Sequence, residues 1–297
     1  MIVTAIMFIV GLALLVKGAD LFVSGGSGLA LRHSISPALI GSTIIAFGTS
    51  LPELVVSTDA AATGNTGIAL GNVLGSNIAN IALILALCTL IRPGMAAASG
   101  AARSALIRHA ALMLVATVAF ALLAARGTLD ALAGAVLLTL FVAILVILLR
   151  EGGREERDVD IKSHGRADIL YIGLGLAAVI IGGAQLVVDG AVTLAEAFGI
   201  PAFVIGVSVV AVGTSLPELA TSLVAAVRDE GSISVGNILG SNIFNLLLVL
   251  GGVSLLLAPV TIGSAFDVVA VVLFSVAILP PVLFARPPSV VRAGRSS

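Results

Sequence analysis

The stretch Ala46-Phe47-Gly48-Thr49-Ser50-Leu51-Pro52-Glu53-Leu54 returns almost word for word as Ala211-Val212-Gly213-Thr214-Ser215-Leu216-Pro217-Glu218-Leu219. Each copy lies in the middle of a long apolar segment. A carboxylate at membrane depth costs at least about 2.5–3.5 kcal/mol, so its default reading is functional, with a cation as its partner. Two of them, in duplicated broken segments, describe a membrane cation site built at a repeat interface.

The chemistry of each copy follows from its backbone. Pro52 has no N–H, so the carbonyl of Gly48, four residues earlier, loses its helical partner. Gly48 loosens the same turn. Freed carbonyls at membrane depth need a replacement partner, and a cation supplies one. Pro217 and Gly213 repeat the arrangement. Backbone oxygens, the hydroxyls of Thr49 and Ser50 and the Glu53 carboxylate therefore fall within one and a half turns. All are hard oxygen donors, suited to Na⁺ and Ca²⁺ rather than to zinc or copper.

A second paired motif follows the first. Gly71-Asn72-Val73-Leu74-Gly75-Ser76-Asn77-Ile78-Ala79-Asn80 matches Gly236-Asn237-Ile238-Leu239-Gly240-Ser241-Asn242-Ile243-Phe244-Asn245. Ser76 and Asn80 are four apart and share a helical face, as do Ser241 and Asn245. Gly71, Gly75, Gly236 and Gly240 permit close approach of another helix. Small and amide residues often do no more than join helices. Two copies, each behind a copy of the first motif, weigh against that plain reading.

Both pairs align when the chain is shifted by 165 residues, which also brings Gly18, Ala19, Leu21 and Gly25 onto Gly183, Ala184, Leu186 and Gly190. Nine apolar spans are predicted, near 2–30, 37–61, 68–91, 104–125, 129–149, 168–197, 202–227, 233–257 and 265–285. Five precede the central loop, and an odd number per half makes the copies antiparallel. The chain thus divides into a first repeat (1–149), a charged loop (150–167) and a second repeat (168–297). The fold class is all-α and polytopic, with two inverted five-helix-type repeats, the second one helix short.

Composition agrees with this class. Of 297 residues, 59% are hydrophobic and 10% charged, against ~25% charged in a soluble domain. A net charge of −1 suggests no nucleic-acid partner, and the lipid bilayer is the partner the composition does imply. The single cysteine, Cys88, reads as a small buried apolar residue. The first 16 residues lack a basic leader region and read as a retained span. Arg32, Arg92, Arg103, Arg108, Arg150, Arg154, Arg157, Lys162, Arg166, Arg228, Arg286, Arg292 and Arg295 fall on one side of the spans, and only Arg126 on the other. That split puts the N-terminus outside and the central loop in the cytoplasm of a cell inner (plasma) membrane. Within the spans, Lys17 and Asp20 are three apart and read as a neutral pair. Asp59 is a candidate for part of an outer cation entrance, Asp189 is placed nearer the interface with a gating role as the alternative, and Asp267 reads as interfacial. His33, His109 and His164 show no metal-ligand spacing.

The paired motifs resemble the two alpha-repeats of the sodium/calcium exchanger family, within the cation/calcium exchanger superfamily, and its prokaryotic members most of all. The resemblance covers nearly the whole chain. It implies an antiporter that extrudes Ca²⁺ in exchange for several Na⁺, with no cofactor and no obligate protein partner. It also implies a ten-helix fold in which the first and sixth helices slide across a compact core. Carried over by position, the ion ligands are Thr49, Ser50, Glu53, Ser76 and Asn80, with Thr214, Ser215, Glu218, Ser241 and Asn245, joined by the carbonyls of Ala46 and Ala211. The Asn245 position is acidic in some members, including potassium-dependent ones; an amide here argues against potassium co-transport. The fifth span should recur near 294–314, but the sequence ends at Ser297, so nine spans are counted, either because this member ends early or because the sequence is truncated.

Charge sets what such a pocket holds. Two ionised carboxylates balance one Ca²⁺ or two Na⁺, and protons compete for the same oxygens. An empty, doubly charged site is costly to carry across a membrane, which is the basis of exchange. Proton/calcium antiport on the same fold stays open as an alternative. A passive cation channel is disfavoured by inverted broken helices around a buried site. The sequence carries no His-Glu-x-x-His zinc motif, and an enzyme is not expected.

Overall fold

Pro52 and Pro217 each take the second position of a helix, behind a serine whose backbone has left helical geometry (Ser50 φ −86°, ψ 7°; Ser215 φ −89°, ψ 7°). Proline is tolerated there because the first amides of a helix have no internal acceptor. Each motif is therefore a helix restart. In the first copy it turns the chain by 43° between Pro37–Thr49 and Leu51–Ala62.

The computed structural model describes residues 2–95, 100–150, 165–180, 185–197 and 213–284. Its helices in chain order are α1 (Ile2–His33), α2 (Pro37–Thr49), α3 (Leu51–Ala62), α4 (Thr66–Ile91), α5 (Gly100–Ala124), α6 (Ala131–Arg150), α7 (Ala167–Ala177), α8 (Gln185–Ala197), α9 (Leu216–Val227), α10 (Gly231–Leu256), α11 (Ala265–Ala277) and α12 (Leu279–Phe284). Two short strands, β1 (Thr128–Leu129) and β2 (Val260–Thr261), pair antiparallel between the α5–α6 and α10–α11 connections. Among the described residues seven helices are long and apolar enough to cross a bilayer, or eight if the bent α2–α3 pair is one span. Of the nine expected spans, the one near 202–227 is described only from Gly213 onward, where α9 forms its second half. The charged loop, apart from its two ends, lies outside the described residues.

Helix α10 is the most enclosed element. It is crossed by α2 at backbone-to-backbone distance: a Cβ on Gly240 would stand 2.4 Å from the Ser42 carbonyl oxygen, and one on Gly236 2.6 Å from that of Ala38. The expected close approach at these two glycines is therefore met. Residues 203 and 207, which match Ala38 and Ser42 in the second copy, lie outside the described residues. Glycine also sets the other main crossing. A Cβ on Gly175 of α7 would lie 2.5 Å from the Phe22 amide of α1, so α1 and α7 pack as a pair.

Wide π-helical turns lie at Gly41–Ile45 in α2, Asn80–Leu85 in α4 and Phe244–Val249 in α10, and residues 178–180 after α7 take the same geometry. Such turns concentrate at functional sites; periodicity does not reveal them. The α3–α4 and α9–α10 turns match each other, with Gly64 (φ 83°) and Asp229 (φ 62°) in left-handed geometry at equivalent places. Aspartate is among the few non-glycine residues that accept this geometry. Asp229 also pairs with Arg92 at the end of α4, which ties two of the arginine-bearing ends together. At the opposite end Asp130 accepts a hydrogen bond from the Ala133 amide (2.8 Å) and pairs with Arg126 (2.9 Å). The Ala133 amide, seconded by the Arg126 guanidinium, holds the Asp130 carboxyl below its usual range.

Candidate functional site

Ser50-Leu51-Pro52-Glu53 has the spacing of a capping box, in which the serine bonds to its own helix. The structure uses the serine otherwise. Ser50 Oγ donates across the molecule to Glu218 Oε1 (2.8 Å), and Ser215 Oγ donates back to Glu53 Oε1 (3.3 Å). Neither serine caps its own helix through its side chain. Each repeat thus completes the carboxylate of the other. Both glutamates are fully buried. Each sits in the first turn of its helix, where the exposed amides favour negative charge.

The remaining expected residues gather around this exchange. Ser241 Oγ lies 3.5 Å from Glu218 Oε1, and Ser76 Oγ lies within hydrogen-bond distance of Ser215 Oγ (3.2 Å). Asn80 and Asn245 are buried at the wide turns of α4 and α10. Thr49 is buried and Thr214 half-buried, each just before the serine at which its motif leaves helical geometry. The Ala46 carbonyl accepts from the Ser50 amide (3.0 Å), with Thr49 Oγ1 3.3 Å away. Ala211 lies outside the described residues.

Four further asparagines, singled out by neither the spacing nor the resemblance, frame the site. Asn72 Nδ2 donates to the Glu53 carbonyl (3.2 Å) and to Ser57 Oγ (3.0 Å), while Thr214 Oγ1 donates to Asn72 Oδ1 (3.2 Å). In the second repeat Asn237 Nδ2 donates to Ser222 Oγ (2.9 Å), and Thr49 Oγ1 donates to Asn237 Oδ1 (3.2 Å). Asn77 and Asn242 bond to each other's backbone carbonyls (3.2 and 3.4 Å), and Asn80 Nδ2 donates to Asn242 Oδ1 (2.9 Å). The signal was present, since Asn72 and Asn77 recur in both copies of the second motif.

Polar accounting marks where a ligand would act. Glu53 Oε2, Glu218 Oε2, Asn77 Oδ1, Asn80 Oδ1 and both side-chain polar atoms of Asn245 are buried without a hydrogen-bond partner among the described residues. Buried polar atoms without partners are costly and rare in folded proteins. Most of these are oxygens, which fits a cation. Among the described residues no three His, Cys, Asp or Glu side chains cluster. Neutral oxygens would therefore share the work with two carboxylates.

The outlying expectations fare differently. Asp20 pairs with Arg228 (3.3 Å) instead of Lys17, because α9 brings that guanidinium to the exposed face of α1. Asp189 lines a cavity beside Thr214, and Asp59 and Asp267 are exposed near helix ends. Cys88 is buried. His109 is buried against Ser42 (3.2 Å), His33 is exposed and His164 lies outside the described residues.

The chain matches the family model described as sodium/calcium exchanger protein over residues 3–150 and 169–292. It is 40% identical over 275 residues to "Putative antiporter CaxA" of Alkalimonas amylolytica, covering 89% of this chain and 84% of the relative. It is 36% identical over 296 residues to inner membrane protein YrbG of Escherichia coli, covering 96% and 88%. Among solved structures, the sodium-calcium exchanger NCX_Mj soaked with 2.5 mM Na⁺ and 0.1 mM Ca²⁺ matches with a TM-score of 0.84 at 32% identity, covering 96% of this chain and 92% of that one.

Proposed function

This chain belongs to the sodium/calcium exchanger family of multi-pass membrane cation antiporters, and from that premise we propose that it exchanges Na⁺ for Ca²⁺ by alternating access at a site held by Glu53 and Glu218. The observation that carries the reading is the crossed pair of bonds, Ser50 to Glu218 and Ser215 to Glu53. It makes a pocket that neither repeat can form alone. Around it the orphaned oxygens of Glu53, Glu218, Asn77, Asn80 and Asn245 supply the neutral and charged donors that a hard cation takes.

The chain's own groups divide the labour. The two carboxylates set the charge that one Ca²⁺ or two Na⁺ neutralise. Thr49, Ser50, Ser76, Thr214, Ser215 and Ser241, with Asn80 and Asn245, supply neutral oxygens, and the carbonyls of Ala46 and Ala211 join them. Neutral hydroxyl-rich surroundings favour Na⁺ as the coupling ion over H⁺. Occupation by either kind of cargo excludes the other, so the loaded forms cross and the empty, doubly charged form does not. The N-terminus lies outside and the arginine-bearing ends lie in the cytoplasm of the inner membrane.

The test is ⁴⁵Ca²⁺ uptake into Na⁺-loaded proteoliposomes, with the external solution switched between Na⁺ and choline at fixed pH. Uptake that requires the outward Na⁺ gradient is the expected result. Uptake that ignores Na⁺ and follows an imposed pH gradient would transfer the assignment to proton/calcium antiport.

A further inference from the structure

The inverted repeats predict two equivalent gates. One lies where α1 meets α9, at the arginine-bearing end. Its counterpart lies where α7 and α8 face α3, at the other end. The structure treats them differently. Leu15 and Ala19 of α1 pack directly on Ala220 of α9, with Leu216 and Val224 against them. At the counterpart, a cavity of about 790 Å³ opens between Pro52 of α3, Leu176 of α7 and Gln185, Val188 and Asp189 of α8, and it reaches Thr214.

The turns beside the two gates show which one is held shut. After α9, Arg228 Nη1 donates to the Asp20 carbonyl (2.9 Å) and pairs with its carboxylate (3.3 Å). Two residues on, the Glu230 carboxylate accepts from Ser27 Oγ of α1, a buried hydroxyl. Arg228 and Glu230 lie 3.9 Å apart, which joins the two contacts. Both reach from the α9–α10 turn onto α1. In the first repeat, Thr63 and Asn65 hold the positions of Arg228 and Glu230. Thr63 Oγ1 donates to the carbonyls of Asp59 and Ala60 on its own helix, and Asn65 Nδ2 donates to Thr63. Among the described residues that turn closes on itself. The residue matching Asp20 is Gln185, which is uncharged.

We infer that Arg228 and Glu230 form a clasp on α1 that holds the arginine-bearing gate shut, and that with no equivalent at the other gate among the described residues the resting transporter stands open toward the opposite face. The inference rests on alternating access, but not on which ions are exchanged. The clasp biases the equilibrium without locking it. An ion pair with both partners partly exposed is weak, so the two states remain within reach of ion binding.

Thiol accessibility tests this without any ion gradient. Cys88 is the only cysteine, so Cys88→Ala provides a clean background. Val188→Cys reports the open cavity, and Val23→Cys, its equivalent in the first repeat, reports the closed gate. In nanodiscs in choline buffer, an impermeant maleimide is expected to label Val188→Cys quickly and Val23→Cys slowly. Adding Arg228→Gln should speed the second by roughly three- to five-fold, the scale of an exposed ion pair, and slow the first only slightly, because the dominant state loses a small share of its population. Asp20→Asn and Glu230→Gln should act in the same direction, which guards against a single poorly folded variant. Unchanged rates at both reporters, or rates that rise together, would overturn the clasp. Failure of the ⁴⁵Ca²⁺ assay alone would instead overturn the ion assignment.

Discussion

In the first repeat Ser50 reaches Glu218 and Thr49 reaches Asn237; in the second, Ser215 reaches Glu53 and Thr214 reaches Asn72. The correspondence holds atom for atom. One helix further on it stops. Among the described residues the α3–α4 turn bonds to its own helix end through Thr63 and Asn65, whereas the α9–α10 turn reaches α1 through Arg228 and Glu230. The centre is alike because each half supplies hydroxyls to the other half's carboxylate, so a change in one copy leaves a buried group of the other without a partner. The ends carry no such mutual constraint. A difference there is the means by which a two-fold fold favours one of its two states.

The largest test of the central symmetry is Glu53→Gln set against Glu218→Gln. Either alone should reduce ⁴⁵Ca²⁺ transport to background in protein that still elutes as a single folded species. Retained transport in one of them would show that the two carboxylates do not share the site. A middle-sized test compares Asn72→Ala with Asn237→Ala. Each takes the partner from one buried hydroxyl, Ser57 in one case and Ser222 in the other, and an acceptor from Thr214 or Thr49. Each should lower stability by about 1–3 kcal/mol, the range for a buried group left unsatisfied, measured as equal drops in thermal midpoint. Unequal drops would locate an asymmetry inside the centre. The smallest effect belongs to the ends. The Asp130 carboxyl titrates below its usual range in the folded protein, so its stabilising contribution is present above the unfolded-state pKa and is lost as pH falls through the folded one. Asp130→Ala should therefore lower the thermal midpoint slightly at neutral pH, and the difference should shrink as the pH falls below the ordinary aspartate range. A difference that persists in acid would mean that Asp130 acts without its charge.

Much of this was legible in particular residues. Glu53 and Glu218 stood out because a carboxylate among apolar residues at membrane depth is too costly to keep without a function. Pro52 and Pro217 marked the helix restarts. Asn72, Asn77, Asn237 and Asn242 did not stand out although they recur in both copies, because an amide in an apolar helix also serves as ordinary glue between helices. The pairing of Lys17 with Asp20 followed from helical spacing and gave way to Arg228, which comes from 208 residues away. Spacing along one helix says nothing about what another helix brings to the same face.

The membrane class, the repeat, the broken helices and the oxygen-rich character of the site were determined by the chain alone. Hydropathy, the missing proline N–H and the donor atoms of a side chain are local properties, present before folding. Tertiary structure decided the partners. The spacing of Ser50 and Glu53 offers a cap within one helix, and only the inverted packing turns that serine toward Glu218 instead. The same packing closes α1 on α9 and leaves α3 apart from α8, because the energies that separate those arrangements belong to contacts between residues the sequence keeps far apart.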